Sequence, residues 1–225
     1  MIPEGFSLKH NAVSADVWHS LEQWILQSQE DKDIEWEETE FNQNRPLTQF
    51  GFRYNYHKDV VDVNSETPPI PDILQRLLLD PISDTNDILD VKTCDLNFTQ
   101  CIINDYKDAN TIIPWHKDDM VFGDIVLVYT FLDERPLNLR LPRNDSSNVN
   151  DVVASGDYQT GVDEKRGHTH YTNEDFIYFT AYPRHCSRYI LRGPVRNMWE
   201  HSVSKGKGRR VSFTFRTLRS ADDDP

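Results

Sequence analysis

The chain has 225 residues, 37% of them hydrophobic and 27% charged, with a formal net charge of −13. That length suffices for one large domain with its own core, and no apolar run approaches the roughly 18 residues a membrane span needs. An acidic chain gains little overall from the counterion release that drives nucleic-acid binding, and an opening of Met1-Ile-Pro-Glu-Gly-Phe leads us to expect no secretory leader.

In chain order, Ser14 reads as the N-cap of a helix whose apolar residues Val17, Trp18, Leu21, Trp24 and Ile25 recur at helical spacing. The stretch from Glu30 to Glu40 is strongly acidic, with Lys32 its one base, and reads as a solvated face. Pro71 to Leu79 predicts a second helix with proline in its first turn, where the missing N–H costs nothing. Elsewhere β-branched and aromatic residues dominate. Phe50–Tyr56, Phe98–Tyr106, Ile125–Phe131, Leu137–Leu141, Phe176–Ala181 and Val211–Arg216 all read as strands. Residues 142–174 lack apolar periodicity and are expected to be a surface insertion, and 221–225 a disordered tail. The predicted fold class is mainly β with N-terminal helices (α+β), a jelly roll or double-stranded β-helix. We expect a helical and acidic extension over 1–45 packed on one domain over 46–220. Cys94, Cys101 and Cys186 are odd in number and scattered, which favours reduced thiols in cytosol or nucleus over disulfides or a zinc site.

Charge is unevenly placed. Residues 183–219 hold basic residues with Glu200 as the one acid, which predicts a local basic mouth on an acidic body.

His116-Lys-Asp118 is a His-x-Asp pair; on a strand both side chains point the same way. His201 is the third candidate ligand. Two imidazoles and one carboxylate suit non-heme Fe(II) and leave coordination positions open. Arg210 and Arg216 alternate with Val211, Phe213 and Phe215, so on a strand both arginines share one face with Ser212 and Thr214. Fixed guanidinium forks of this kind suit a dicarboxylate. His168-Thr-His170 is a second close pair and a secondary metal candidate. Trp115 and Trp199 flank the ligands and are expected to pack around them.

Four blocks taken in order resemble the AlkB family of Fe(II)/2-oxoglutarate dioxygenases. They are Cys101-Ile-Ile-Asn-Asp-Tyr106, Trp115-His-Lys-Asp118, Gly193-Pro-Val-Arg-Asn-Met-Trp-Glu-His201 and Arg210-Val-Ser-Phe-Thr-Phe-Arg216. The resemblance covers residues 45–220 and leans to the eukaryotic members. It implies His116, Asp118 and His201 as iron ligands. It also implies Arg210 with Tyr106 at the distal carboxylate of 2-oxoglutarate, and Asn104 and Arg216 at its keto-acid end. Fe(II), 2-oxoglutarate and O2 would together hydroxylate a C–H bond, releasing formaldehyde where that carbon is an N-methyl group.

For the substrate, two readings stand. Base-acting relatives carry an acid two residues after the iron-ligating aspartate. Met120 holds that position here, which, with the acidic patch as a docking surface, favours a basic protein such as a histone. Phe52-Arg-Tyr-Asn-Tyr56, at the family's nucleotide-lid region, and the basic stretch favour an alkylated base in DNA or RNA. A non-catalytic binding module on the same fold is the third possibility.

Overall fold

The computed structural model describes residues 2–38, 45–55, 60–62, 67–83, 97–143, 161–163, 168–173 and 175–219. Its strands are β1 (Phe6–Lys9), β2 (Leu47–Gly51), β3 (Arg53–Asn55), β4 (Val60–Asp62), β5 (Gln100–Tyr106), β6 (Ile113–His116) and β7 (Phe122–Leu132). They continue with β8 (Leu137–Pro142), β9 (Gly161–Asp163), β10 (His168–Thr172), β11 (Phe176–Ala181), β12 (Ser187–Arg192), β13 (Glu200–Val203) and β14 (Arg210–Leu218). The helices are α1 (Ala15–Glu30), α2 (72–83, π-wound over Gln75–Leu79) and the single turn α3 (Pro194–Asn197).

The strands form two six-stranded antiparallel sheets, in the order β1-β12-β7-β14-β5-β2 and β6-β13-β8-β11-β10-β9, with a separate β3-β4 hairpin. This is the jelly roll expected. Period-two alternation divides the larger sheet into two faces. Leu127, Tyr129 and Phe131 of β7 and Val211, Phe213 and Phe215 of β14 pack under the helices. Val126 and Val128 turn the other way, toward Leu137, Leu139 and Phe179 of the smaller sheet. The candidate site lies on this inter-sheet side.

Helix α1 starts where its cap dictates: the Ser14 hydroxyl accepts from the Val17 N–H at 3.4 Å. Its apolar stripe buries Trp18, Leu21 and Ile25. Trp18 stacks on Phe131 with ring centroids 4.8 Å apart. Full burial of Leu21 stabilises the docked helix by roughly 1.5–3 kcal/mol. Helix α2 joins the same cluster through Leu74 and Leu78, and the Tyr129 hydroxyl donates to the Leu78 carbonyl at 2.8 Å. No helix among the described residues is long and apolar enough to cross a membrane.

Several elements depart from the sequence reading. The predicted strand 50–56 breaks after Gly51, whose φ of +78° turns the chain; a Cβ there would meet the Thr99 carbonyl oxygen at 1.9 Å. Residues 1–45 are not only helical, because β1 pairs with β12 at the edge of the larger sheet. Within 142–174, β9 and β10 extend the smaller sheet beyond β11, so this stretch is part strand. Residues 144–160 and the tail 221–225 lie outside the described residues.

Candidate metal and co-substrate site

β6 and β13 pair with His116 opposite His201, which brings two residues far apart in sequence face to face. Their rings sit 4.1 Å apart at 50°. Asp118 reaches the same point by another route than expected. β6 ends at His116, so Asp118 stands in the following loop, and strand alternation does not aim it. Instead Arg216 Nη2 donates to Asp118 Oδ1 at 2.6 Å and holds the carboxylate in place. Ligand atoms of His116, Asp118 and His201 lie within 4.8 Å of one another, a cluster that can hold a metal ion.

The states of Asp118 and His201 suit a cation. The His116 Nδ1–H donates to the Pro114 carbonyl at 2.9 Å, which orients the ring and leaves Nε2 as its other nitrogen for a ligand. Burial, with His116 alongside, pushes the His201 imidazole down to about 3, outweighing the attraction of Asp118. The 3.9 Å approach of His201 Nε2 to Asp118 Oδ2 is therefore not an ion pair at neutral pH. Burial alone would raise the Asp118 carboxyl; Arg216, the two histidines and Arg196 outweigh it and hold the carboxyl well below its usual range. Asp118 Oδ2 is buried with no hydrogen-bond partner. A buried, charged acceptor left open beside two imidazoles, with His201 kept neutral by burial, is the donor set that a divalent transition metal completes.

Register also assembles the arginine end. Arg210 of β14 lies opposite Tyr106 of β5, and Ser212 opposite Asn104. The Arg210 guanidinium sits 4.7 Å from the Tyr106 ring centroid. Arg210 is 2% exposed, and its Nη1 is buried without a hydrogen bond. Beside it, burial pushes the Tyr189 phenol up to about 12 despite the pull of Arg210. A cavity of about 260 Å³ opens between the sheets, bounded by Asn104, Tyr106, His116, Asp118, His201 and Arg216. Ser212 and Thr214 line it too, as the alternation along β14 requires. Six of the seven sequence-predicted residues line this cavity, with Arg216 engaged with Asp118; Arg210 does not line it and sits against the Tyr106 ring.

Three arginines escaped the sequence reading. Arg45 Nη1 donates to Asn104 Oδ1 at 2.5 Å. Arg135, fully buried, donates Nη2 to the carbonyls of Asp108 and Gly208, each at 2.6 Å, and Nη1 to that of Thr111. It also covers the Tyr106 ring at 5.0 Å. Arg196 grips the Asp118 loop. Nothing in the local sequence separates these arginines from solvated ones.

No family model matches the chain. It is 28% identical over 127 residues to the DNA oxidative demethylase ALKBH2 of Arabidopsis thaliana, a match covering 54% of this chain and 38% of that relative. The solved structure of OsALKBH1 superposes with a TM-score of 0.61 at 15% sequence identity, covering 96% of this chain and 98% of the other. The chain is similar to these AlkB-type proteins. At 15% identity the structural likeness speaks to the fold alone, and the match spans well under half the length of the Arabidopsis relative.

Trp199 is buried in the inter-sheet core, as expected. Trp115 points away from the cavity, with the Arg140 guanidinium 4.4 Å from its ring centroid. Tyr54 lines the cavity 5.8 Å from Phe122, while Tyr56 lies outside the described residues. His168 and His170 fall on β10, and their side chains lie outside the described residues. The basic mouth is smaller than the charge count suggests: Arg188, Arg196 and Arg210 are buried, while Arg184, Lys205 and Lys207 are exposed and Arg184 pairs with Glu134 at 3.1 Å. Acids of the 30–40 run meet the protein's own bases, Glu37 with Arg53 at 3.0 Å and Glu38 with Lys107 at 3.1 Å.

Proposed function

We propose that the chain is an Fe(II)- and 2-oxoglutarate-dependent dioxygenase that oxidatively demethylates alkylated bases in nucleic acid. The observation that carries this reading is the open, buried Asp118 Oδ2 clustered with the imidazoles of His116 and His201 at a cavity that Arg45 and Arg216 also line. His116, Asp118 and His201 would hold the iron. Arg210, with Tyr106 and Tyr189 about it, would take the distal carboxylate of 2-oxoglutarate; its unused Nη1–H is the donor available for that bond. Asn104, oriented by Arg45, and Arg216 would steady the keto-acid end. Residues 46–220 form the catalytic domain in this reading, with 1–45 packed on it.

Iron with 2-oxoglutarate and O2 supplies oxidation of a C–H bond, yielding succinate and CO2 and, on an N-methyl group, formaldehyde and the freed nitrogen. The chain's own groups bind, orient and exclude water. Val126, Val128, Leu191 and Val203 give the cavity apolar walls that keep bulk water from the reacting carbon. Tyr54 offers an aromatic face at the cavity, and Asp119 an acceptor for a base edge. The expectation of a basic protein such as a histone draws no support: the Arabidopsis relative is named for action on DNA, and the docking acids Glu37 and Glu38 are already paired. Free, buried Cys101 and Cys186 favour a reducing compartment, cytosol or nucleus.

Formaldehyde release from N-methylated single- and double-stranded oligonucleotides tests the substrate class. Release above that from unmethylated oligonucleotides supports the reading. Release only with methylated histone peptides would replace it with the protein reading.

A further inference from the structure

The two metal-ligating segments have different anchors. His116 and His201 are locked by strand pairing, but Asp118 stands in the loop between β6 and β7. Within that loop the chain makes few bonds of its own: Phe122 N–H donates to the Asp119 carbonyl at 3.2 Å, and Val121 N–H to Asp119 Oδ1 at 2.8 Å. From outside the loop, the Arg219 N–H donates to the Val121 carbonyl at 2.9 Å, Arg216 holds the Asp118 side chain, and Arg196 grips the backbone carbonyls around Asp118. Its Nη1 donates to the Asp118 carbonyl at 3.1 Å, and its Nη2 to the carbonyls of Asp119 at 2.6 Å and Phe122 at 3.2 Å. Arg196 is 2% exposed. A planar guanidinium presents donors in a fixed fork, so three carbonyls on one loop fix that loop against the helix bearing the arginine.

That helix is α3, which runs almost directly into His201. Gly193 and Pro194 set its start, and the N–H groups of Asn197 and Met198 close it on the carbonyls of Gly193 and Pro194 at 2.9 Å. Buried Trp199 then anchors the connection to β13. Burial disfavours the Arg196 charge, and the nearby Asp118 carboxylate supports it.

We infer that Arg196 is a positioning residue that fixes the backbone of Asp118 relative to His201, so that the open Oδ2 faces the imidazoles before metal arrives. The role differs from that of Arg216, which holds the Asp118 side chain. The inference rests on the metal-ligand reading proposed above.

The test is Mn(II) titration of the metal-free protein, followed by electron paramagnetic resonance, on wild type, Arg196→Met, Arg196→Lys and Val195→Ala. Val195 is buried on the same helix but touches no ligand loop in the bonds described, so its truncation serves as the destabilising control. Melting temperatures accompany each titration. Loss of an outer partner to a metal ligand typically weakens affinity about 10- to 100-fold. That loss is expected for Arg196→Met, with a smaller loss for Arg196→Lys, which keeps the charge without the fork. Val195→Ala should lower the melting temperature and leave Mn(II) affinity in place. Should Arg196→Met not fold, Arg196→Lys carries the comparison. A folded Arg196 variant that binds Mn(II) like wild type overturns the inference alone. Wild type that takes up no Mn(II) overturns the ligand reading and this inference with it.

Discussion

Arg210→Met should move stability and co-substrate affinity in different directions. The Arg210 guanidinium is almost wholly buried, stacked on Tyr106, and carries a buried Nη1 with no acceptor. Leaving a buried donor unsatisfied costs about 1–3 kcal/mol in the metal-free fold. Methionine keeps much of the volume and removes that cost, so the melting temperature of the metal-free variant should equal or exceed that of wild type. With co-substrate the sign reverses. Truncating one partner of a buried, hydrogen-bonded charge pair costs about 2–5 kcal/mol. At 1.4 kcal/mol per tenfold, this predicts that the half-saturating 2-oxoglutarate concentration rises by a factor on the order of 30 to 4,000. The assay is succinate release against 2-oxoglutarate concentration at fixed Fe(II), paired with calorimetric melting. Unchanged half-saturation would move the distal carboxylate elsewhere. A large fall in melting temperature would make Arg210 a structural residue and refute the reasoning from its open donor.

His116→Ala and Asp118→Ala should each abolish metal uptake, measured by equilibrium dialysis against Fe(II) or Mn(II); retained stoichiometric binding would refute the assignment. The metal-free protein should also lose stability on acidification. His201 has a folded pKa of about 3 against an ordinary value of 6.5, so the unfolded chain binds the extra proton. Stability is therefore intact above pH 6.5 and falls toward pH 3, by up to about 1.4 kcal/mol per pH unit from this one group. The depressed Asp118 carboxyl adds a loss with the same sign below the ordinary carboxylate range. Urea denaturation across pH 4 to 8 checks this, and a flat profile would contradict a neutral, buried His201. Gly5→Ala should detach β1, because φ is +85° and the new Cβ would lie 1.8 Å from the Arg192 carbonyl oxygen. A penalty of roughly 2 kcal/mol or more would lower the melting temperature by about 4 °C or more.

Legibility in the sequence followed the range of the forces involved. β14 was readable because Val211, Phe213 and Phe215 alternate with polar residues, and the structure sends those three into the helix-covered core. α1 was readable from its cap and stripe for the same local reason. β6 and β13 were not: each is only four residues long, and their polar histidines face an inner cavity rather than water. Their pairing is a long-range event with no local trace. Gly51 ended a strand that residue type alone carried on to Tyr56. The buried arginines are the clearest blind spot. Arg45, Arg135 and Arg196 spend their charge on an amide oxygen and backbone carbonyls, acceptors that every residue type can supply. The apparent basic surface of 183–219 shrinks for the same reason, since Arg188, Arg196 and Arg210 are buried.

Succinate release from 2-oxoglutarate by the Fe(II)-loaded protein under air tests the central claim most directly. The account predicts turnover that needs iron, disappears in Asp118→Ala and rises when N-methylated oligonucleotides are added. Metal uptake by His116, Asp118 and His201 with no succinate under any addition would contradict it, and would leave an AlkB-like fold that binds without catalysing.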